Sequence, residues 1–134
     1  MNKEKIKIGI LGCGRVCEHY VQQIFISERV GDLYEVVAVC DVDINKSTYV
    51  ASMFSCKSYN NIQEFVQQKD IEVVIILTKS GQHYEHSKIC LSNYLNVIVE
   101  KPLSLRIEHA QELMRISTNN GKFCASIFCS KPQT

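Results

Sequence analysis

A glycine-rich segment between two apolar runs has the clearest binding chemistry in this sequence. Residues 12–16 (GCGRV) follow the apolar run 5–11, and a second apolar run, residues 34–40, ends at Asp41. Gly12 allows a tight turn, Gly14 lets the main chain approach a pyrophosphate closely, and the start of the following helix attracts negative charge. Asp41 lies where an acid can accept hydrogen bonds from ribose hydroxyls. The pattern predicts a dinucleotide-binding site.

Two cysteines belong to the same segment. Cys17 occupies the position of the third glycine of the pattern, whose task is close packing of the helix on the strand, and a small thiol side chain can also meet that need. Cys13 lies near a helix start, where a thiolate is favoured. A redox-sensitive thiol and an inert loop residue are therefore both open interpretations of Cys13.

The second set of chemically competent residues is Glu100-Lys101-Pro102, which follows the apolar residues 95–99. Pro102 cannot extend a strand, and it keeps Lys101 out of helical geometry, which fixes the direction of the ammonium group. A lysine at the rim of a cofactor site can donate a hydrogen bond to a substrate oxygen and exchange a proton with it. An ordinary surface turn is the alternative interpretation of these three residues taken alone.

A metal site is a weaker candidate. His83 and His86 are three residues apart with Glu85 between them, so a helix would place both rings on one face. The sequence offers no third ligand at a suitable spacing. We therefore predict no metal centre.

Composition excludes several functional classes. The 134 residues carry a formal net charge of +1 with interspersed signs, so we predict no nucleic-acid partner. No apolar run approaches the roughly 18 residues of a membrane helix, and residues 1–5 lack the apolar core of a signal peptide, so we expect a cytoplasmic protein without membrane contact. The seven cysteines are odd in number and lie mostly in apolar runs, which favours buried thiols over disulfides.

The elements that must position these groups alternate between strand and helix. We predict strands at 5–11, 34–40, 56–59, 72–77, 95–99 and 122–129, and helices after the glycine loop and at 44–54, 61–68, 82–92 and 104–119. Asn60 or Asn61 can cap the third helix, and Asn120-Gly121 ends the last one. We expect a single α/β domain over residues 1–134, with a core of about 5–128. Its fold would be a doubly wound, six-stranded parallel sheet of order 3-2-1-4-5-6, with the ligand at the carboxyl ends of the strands.

Taken together, the motifs resemble the cofactor domain of the glucose-fructose oxidoreductase, inositol dehydrogenase and MocA-type family of nicotinamide-dependent dehydrogenases. The resemblance covers nearly all of residues 5–128. It is carried by four segments in the same order, namely residues 9–16 (GILGCGRV), 37–41 (VAVCD), 78–83 (TKSGQH) and 100–103 (EKPL). The resemblance implies a Rossmann fold and an oxidoreductase that acts on a hydroxyl or carbonyl group of a sugar, cyclitol or related small molecule.

The resemblance also implies roles for single residues. Main-chain amides of Cys13, Gly14, Arg15 and Val16 would hold the pyrophosphate, and Asp41 the adenosine ribose. Thr78, His83 and Glu100 would line the nicotinamide side, and Lys101 would be the catalytic residue that reaches the substrate hydroxyl. Asp41 favours NAD over NADP, because a carboxylate repels a 2′-phosphate.

Two segments depart from the family pattern. Lys79 and Ser80 stand where relatives carry Pro and Asn, and residues 128–131 (FCSK) stand where an arginine-bearing segment leads into the next domain. We expect that domain, with the catalytic histidine and the substrate pocket, to be missing from these 134 residues. The chain alone would then bind dinucleotide with little or no turnover, and the surface left uncovered would be apolar enough for self-association into a homo-oligomer.

Two other functions remain open at this stage. A non-catalytic module that binds NAD for regulation would use the same crevice. A methyltransferase that uses S-adenosylmethionine shares the glycine loop and the acid after the second strand, although its chemistry does not need Glu100-Lys101-Pro102.

Overall fold

The computed structural model describes residues 4–21 and 32–127 of the protein. Its strands are β1 (Ile6–Leu11), β2 (Tyr34–Cys40), β3 (Lys57–Tyr59), β4 (Val73–Ile76), β5 (Asn96–Glu100) and β6 (Cys124–Ile127). Its helices are α1 (Arg15–Tyr20), α2 (Ile44–Phe54), α3 (Ile62–Phe65), α4 (His83–Ser92) and α5 (Ile107–Asn120), and a 3-10 turn, Ser80–Gln82, leads into α4.

The strands form one parallel sheet of order β3-β2-β1-β4-β5-β6. The predicted strand order and the doubly wound α/β fold are confirmed. The chain order reverses between β1 and β4, which are paired neighbours. In sheets of this kind a crevice opens at the carboxyl ends of the strands beside that reversal.

Apolar side chains fill both faces of the sheet. One cluster joins β1 and β2 to α1 and α2, and it includes Cys17, Val21 and Val50. The other joins the strands to α3, α4 and α5 through Phe65, Leu91 and Leu113 among others. β4 is buried along its whole length, as a strand covered on both faces must be.

Short polar residues begin α2 and α3, and a glycine ends α5. The Asp43 side chain accepts a hydrogen bond from the Asn45 amide at the start of α2. Asn61, one of the two predicted caps, accepts from the amides of Gln63 and Glu64 at the start of α3. Gly121 ends α5 with a φ of +64°, a left-handed conformation that favours glycine.

Several predicted bounds differ from the structure. α3 is four residues long instead of eight, α5 begins at Ile107 instead of residue 104, and the described part of β6 begins at Cys124 instead of residue 122. β5 is less enclosed than its apolar sequence indicates, since Ile98 is only half-buried while Val97 and Val99 are buried. The predicted end of the last strand and the 128–131 segment lie outside the described residues.

The surface around α5 and β6 carries exposed apolar side chains. Leu105, Ile107, Met114 and Phe123 are 69%, 75%, 41% and 48% exposed. Apolar character was expected on an uncovered surface, while self-association through it stays a prediction. Across residues 4–21 and 32–127, none of the helices combines the length and apolar character needed to cross a bilayer.

Candidate functional site

A crevice of about 550 Å³ opens at the carboxyl ends of the strands on both sides of the β1–β4 pair. Six of the residues selected from the sequence line it: Gly12, Gly14, Arg15, Val16, Asp41 and Thr78. They come from the ends of β1, β2 and β4 and from the start of α1. The remaining lining residues are Leu11, Cys40, Val42, Asp43, Lys46, Ile62, Leu77, Lys79, Gln82 and His86.

The two glycines of the loop after β1 serve different purposes. Gly12 has a φ of +104°, and a Cβ atom there would lie 2.7 Å from the carbonyl carbon of Leu77. Its amide donates to the carbonyl of Cys40 at 2.8 Å. A Cβ atom on Gly14 would meet no atom of the described residues within 4 Å, its chain neighbours aside. Gly12 therefore packs the turn between three strand ends, and Gly14 leaves space on the crevice side.

Asp41 is held by main-chain amides. Its Oδ2 accepts a hydrogen bond from the Cys13 amide and its Oδ1 accepts one from the Asp43 amide, both at 2.8 Å. These two bonds fix the carboxylate at the end of β2, on the wall of the crevice. Each oxygen keeps a second lone pair, so the carboxylate can still accept bonds from a ligand.

Cys13 differs from the sequence-based expectation in two ways. Its amide points to Asp41, so the amides that remain for a phosphate are those from Gly14 onward. Its buried thiol donates to the Cys40 carbonyl at 3.6 Å. A hydrogen bond with Cys17, burial and the Asp41 charge all raise the pKa of the Cys13 thiol far above its ordinary value. The expectation of a favoured thiolate is wrong, because these local effects outweigh the start of α1.

His83 is buried between two loops. Its Nδ1 lies 2.7 Å from the Pro102 carbonyl oxygen and its Nε2 lies 2.8 Å from the Thr78 carbonyl oxygen. The side chain is only 2% exposed, and it is not among the residues that line the crevice. The ring therefore ties the turn after β4 to the turn after β5, and its place beside a nicotinamide stays a prediction.

Glu100 and Lys101 lie at the end of β5, beyond the crevice lining. Glu100 is half-buried and pairs with Ile127 of β6, while the Lys101 side chain is exposed and its amide donates to the Ile127 carbonyl at 3.3 Å. The Lys101–Pro102 peptide bond is cis. Because His83 holds the Pro102 carbonyl, the Lys101 turn is attached to the same loop that carries Thr78.

Several residues that line the crevice were not predicted from the sequence. His86 lies one turn into α4, and its Nδ1 is 2.9 Å from the Thr78 hydroxyl. Val42, Asp43 and Lys46 follow Asp41 into the first turn of α2. Since a helix that follows a parallel strand begins at the carboxyl edge of the sheet, its first turn was a signal that could have found these three residues.

The metal interpretation gains no support from the geometry. Both nitrogens of His83 face carbonyl oxygens, so the ring has no lone pair directed at an ion. In the described part of the chain, no group of three or more His, Cys, Asp or Glu side chains is placed to hold a metal.

A family model described as "Oxidoreductase family, NAD-binding Rossmann fold" matches residues 6–128, which is nearly the whole chain. The chain belongs to this oxidoreductase family. The expected family is thereby confirmed, and the match decides against a methyltransferase.

The relatives of this family member are longer dehydrogenases. It is 29% identical over 119 residues to an inositol 2-dehydrogenase of Salmonella paratyphi B, with 87% of the chain and 34% of the relative covered. It is 28% identical to a trans-1,2-dihydrobenzene-1,2-diol dehydrogenase of Xenopus laevis, with 93% of the chain and 38% of the relative covered. The chain thus spans about a third of the length of these relatives.

Solved structures agree on the fold. The WlbA dehydrogenase of Chromobacterium violaceum, solved in complex with NADH and UDP-GlcNAcA, superposes with a TM-score of 0.86 at 24% identity. The match covers 95% of this family member and 36% of the WlbA chain. GenD2 from gentamicin A biosynthesis, solved with NAD, superposes with a TM-score of 0.84 at 21% identity. At these identities the likeness shows the Rossmann fold alone.

Proposed function

We propose that this protein binds NAD(H) in the crevice at the carboxyl ends of β1, β2 and β4, as the cofactor domain of a dehydrogenase. The observation that carries the proposal is the Asp41 carboxylate, which the Cys13 amide holds at 2.8 Å beside the Gly12–Gly14 turn. It supports the proposal because a carboxylate that suits ribose hydroxyls lies next to a loop whose amides suit a pyrophosphate. Membership of an NAD-binding oxidoreductase family supports the same assignment.

The residues present fit a dinucleotide. Space on the crevice side of Gly14 leaves room for phosphate oxygens near the first turn of α1, whose orphan N–H groups point in that direction. Val42, which is 91% exposed, and the half-buried Ile62 add apolar surface near Asp41 that suits a base. The crevice therefore offers apolar, acidic and amide-rich regions in the order that a dinucleotide requires.

We further infer a preference for NAD over NADP. Asp41 and Asp43 both lie in the lining at the end of β2, where a 2′-phosphate would add negative charge. Lys46 lies in the same lining and reduces this effect without removing the fixed Asp41 carboxylate. One relative, at 27% identity, is a scyllo-inositol 2-dehydrogenase (NADP(+)) of Bacillus subtilis. Family membership therefore does not decide between NAD and NADP, and the inferred preference rests on the acids of this chain.

For the whole enzyme, we propose oxidation or reduction of a hydroxyl or carbonyl group on a sugar, cyclitol or related small molecule. Relatives named as inositol 2-dehydrogenases support this substrate class. NAD⁺, when bound, supplies the hydride acceptor. The exposed ammonium of Lys101 would donate a hydrogen bond to the substrate oxygen and exchange its proton, from a turn that His83 holds at the sheet edge.

We place the protein in the cytoplasm. The cysteines of residues 4–21 and 32–127 are all free thiols, and burial raises the pKa of Cys40 to about 12 and that of Cys56 to about 11. A protein with this many unpaired thiols suits a reducing compartment.

Fluorescence titration tests the proposed function directly. NADH and NADPH are titrated against the protein, against Asp41→Ala and against Asp70→Ala, an exposed acid in the segment just before β4. We expect the protein to bind NADH at least tenfold more tightly than NADPH, and Asp41→Ala to lose about tenfold in NADH affinity and most of the preference. Asp70→Ala should behave like the parent. Equal loss in both variants, or no NADH binding by the parent, would overturn the proposal.

A further inference from the structure

His86 and Thr78 form a hydrogen-bonded pair on the β4 side of the crevice. The His86 Nδ1 lies 2.9 Å from the Thr78 Oγ1, and both residues line the cavity. Both side chains are half-buried, so each has one part packed against protein and one part open to the crevice. Neither the cofactor loop nor the Lys101 turn uses this pair.

Whichever tautomer His86 adopts, the pair keeps one donor and one acceptor beyond its internal bond. If the Thr78 hydroxyl donates to Nδ1, the proton of a neutral ring is on Nε2 and that N–H is left to donate. If Nδ1–H donates to Thr78, the hydroxyl proton is left to donate and Nε2 is left to accept. The pair is therefore suited to a neutral ligand group that both donates and accepts, such as a hydroxyl or a carboxamide.

Its place in the crevice indicates which part of a dinucleotide it faces. Asp41 and Asp43 follow β2, the loop 12–16 follows β1, and Thr78, which is bonded to His86, follows β4, so the sheet order β2-β1-β4 puts the loop between the acids and the pair. With the adenosine ribose on Asp41 and the pyrophosphate on the loop, the second nucleoside is the part left for the β4 side.

We propose that His86 and Thr78 act as one hydrogen-bonding unit that binds the nicotinamide nucleoside of the dinucleotide, an inference that rests on the proposed function. The unit recognises the ribose hydroxyls or the carboxamide of that nucleoside. His83, three residues earlier on α4, instead holds the turns after β4 and β5 together. In this proposal His83 positions the loops and His86 contacts the ligand.

The charge of the ring adds a second signature. Burial lowers the pKa of His86, Glu85 raises it and His83 lowers it, and the balance keeps the ring neutral at neutral pH. The other charged residues that line the same crevice are Lys79, Arg15, Asp41, Asp43 and Lys46. Once protonated, the ring would repel the cationic ring of NAD⁺ but not the neutral ring of NADH, and the lowered pKa moves this protonation below the ordinary pH range of histidine.

The test is a calorimetric double-mutant cycle with two ligands, NADH and AMP, on the 134-residue chain. Thr78→Val, His86→Leu and the double variant are compared with the parent. We expect each single variant to lose about five- to tenfold in NADH affinity, the double variant to lose no more than the larger single loss, and AMP affinity to stay within twofold. Retained AMP binding shows that each variant is folded, and His86→Asn replaces His86→Leu should the leucine variant fail this criterion.

The outcomes distinguish a failure of this inference from a failure of the proposed function. If the parent binds NADH and His86→Leu binds it equally well, or if the two single losses add in the double variant, this inference fails and the proposed function stands. If the parent binds no NADH, both fail. As the pH is lowered from 7.5 through the depressed pKa of His86, the NAD⁺ affinity of the parent should fall relative to its NADH affinity, and the same change in a His86 variant would also contradict the inference.

Discussion

At the scale of single residues, the loop after β1 shows why two glycines two positions apart are not equivalent. Gly12 needs a positive φ and has the Leu77 carbonyl carbon where a Cβ atom would lie, whereas Gly14 has an ordinary φ of −88° and open space beside it. Glycine is needed at position 12 because of the fold itself. At position 14, in our account, glycine is needed because a side chain would occupy the space of the ligand.

Alanine substitutions should separate these two roles. We expect Gly12→Ala to lower the free energy of unfolding by about 2 kcal/mol or more, because of backbone strain and the contact with Leu77. Gly14→Ala should change it by less than about 0.5 kcal/mol and still weaken NADH binding, because its methyl group enters the phosphate region. Urea unfolding and NADH titration of both variants measure this, and equal stability losses would contradict the assignment.

Residue roles were predictable only where the local sequence defines them. Asp41 could be assigned from its place at the end of an apolar strand, and the structure puts it on the crevice wall. The Cys13 amide could not be assigned to Asp41, because that bond joins residues 28 positions apart. The sequence does not show which of His83 and His86 lines a binding site. The packing of α4 on the sheet decides this, because it buries His83 and leaves His86 on the crevice wall.

At the scale of elements, the turns after β4 and β5 depend on each other through His83. The two ring nitrogens lie 2.7 Å from the Pro102 carbonyl oxygen and 2.8 Å from the Thr78 carbonyl oxygen, and a neutral ring donates to one of these oxygens at a time. The Thr78 turn lines the crevice and the Pro102 turn carries Lys101. Any change in this tie should therefore affect both halves of the proposed site.

Removal of the ring should be costly. We expect His83→Ala to lower the free energy of unfolding by about 2 kcal/mol or more, since the variant loses a buried ring and the hydrogen bond that this ring donates to a loop carbonyl. His19→Ala, a change at an exposed histidine of α1, is the matched control and should lie within about 0.5 kcal/mol of the parent. Chemical denaturation compares the three proteins. A His83→Ala variant as stable as the control would show that the contacts of the His83 ring with the two turns do not stabilise the fold.

Hydrophobic periodicity predicted the existence of α5 but not its orientation. The helical spacing of Ile107, Ala110, Leu113, Met114 and Ser117 indicates one apolar face, yet Ile107 and Met114 are exposed. Polar and aromatic contacts with α4 set the rotation instead: His109 stacks on Tyr84 at 3.8 Å, Tyr84 donates to Glu112 at 2.6 Å, and Asn120 donates to the Leu91 carbonyl at 2.8 Å. An apolar stripe carries no information about such contacts.

At the scale of the whole molecule, the sequence determines the topology well. Alternating strands and helices, with connections too long for hairpins, allow few arrangements, and the observed order β3-β2-β1-β4-β5-β6 is the one expected. The extent of the protein relative to its family is a separate matter. The 134 residues span about a third of the length of the inositol 2-dehydrogenase relatives.

This difference in length leads to a prediction about activity. A polypeptide of these 134 residues should bind NADH yet oxidise inositols and sugars roughly a thousandfold more slowly than a full-length dehydrogenase, because catalysis depends on holding both reactants in attack geometry. A steady-state assay with NAD⁺ and a panel of cyclitols and sugars checks this, with the Salmonella inositol 2-dehydrogenase as positive control. Turnover comparable to the control would contradict the prediction.

The central claim is that a nicotinamide dinucleotide binds at the carboxyl edge of this sheet, and an amide-resolved NMR titration with NADH tests it most directly. We predict saturable shifts at Gly14, Arg15, Val16, Asp41 and Thr78, with no comparable shifts at Asp70 or Asn93, which lie away from the crevice lining. Absence of shifts at millimolar NADH, or shifts centred on Asp70 and Asn93, would contradict the account.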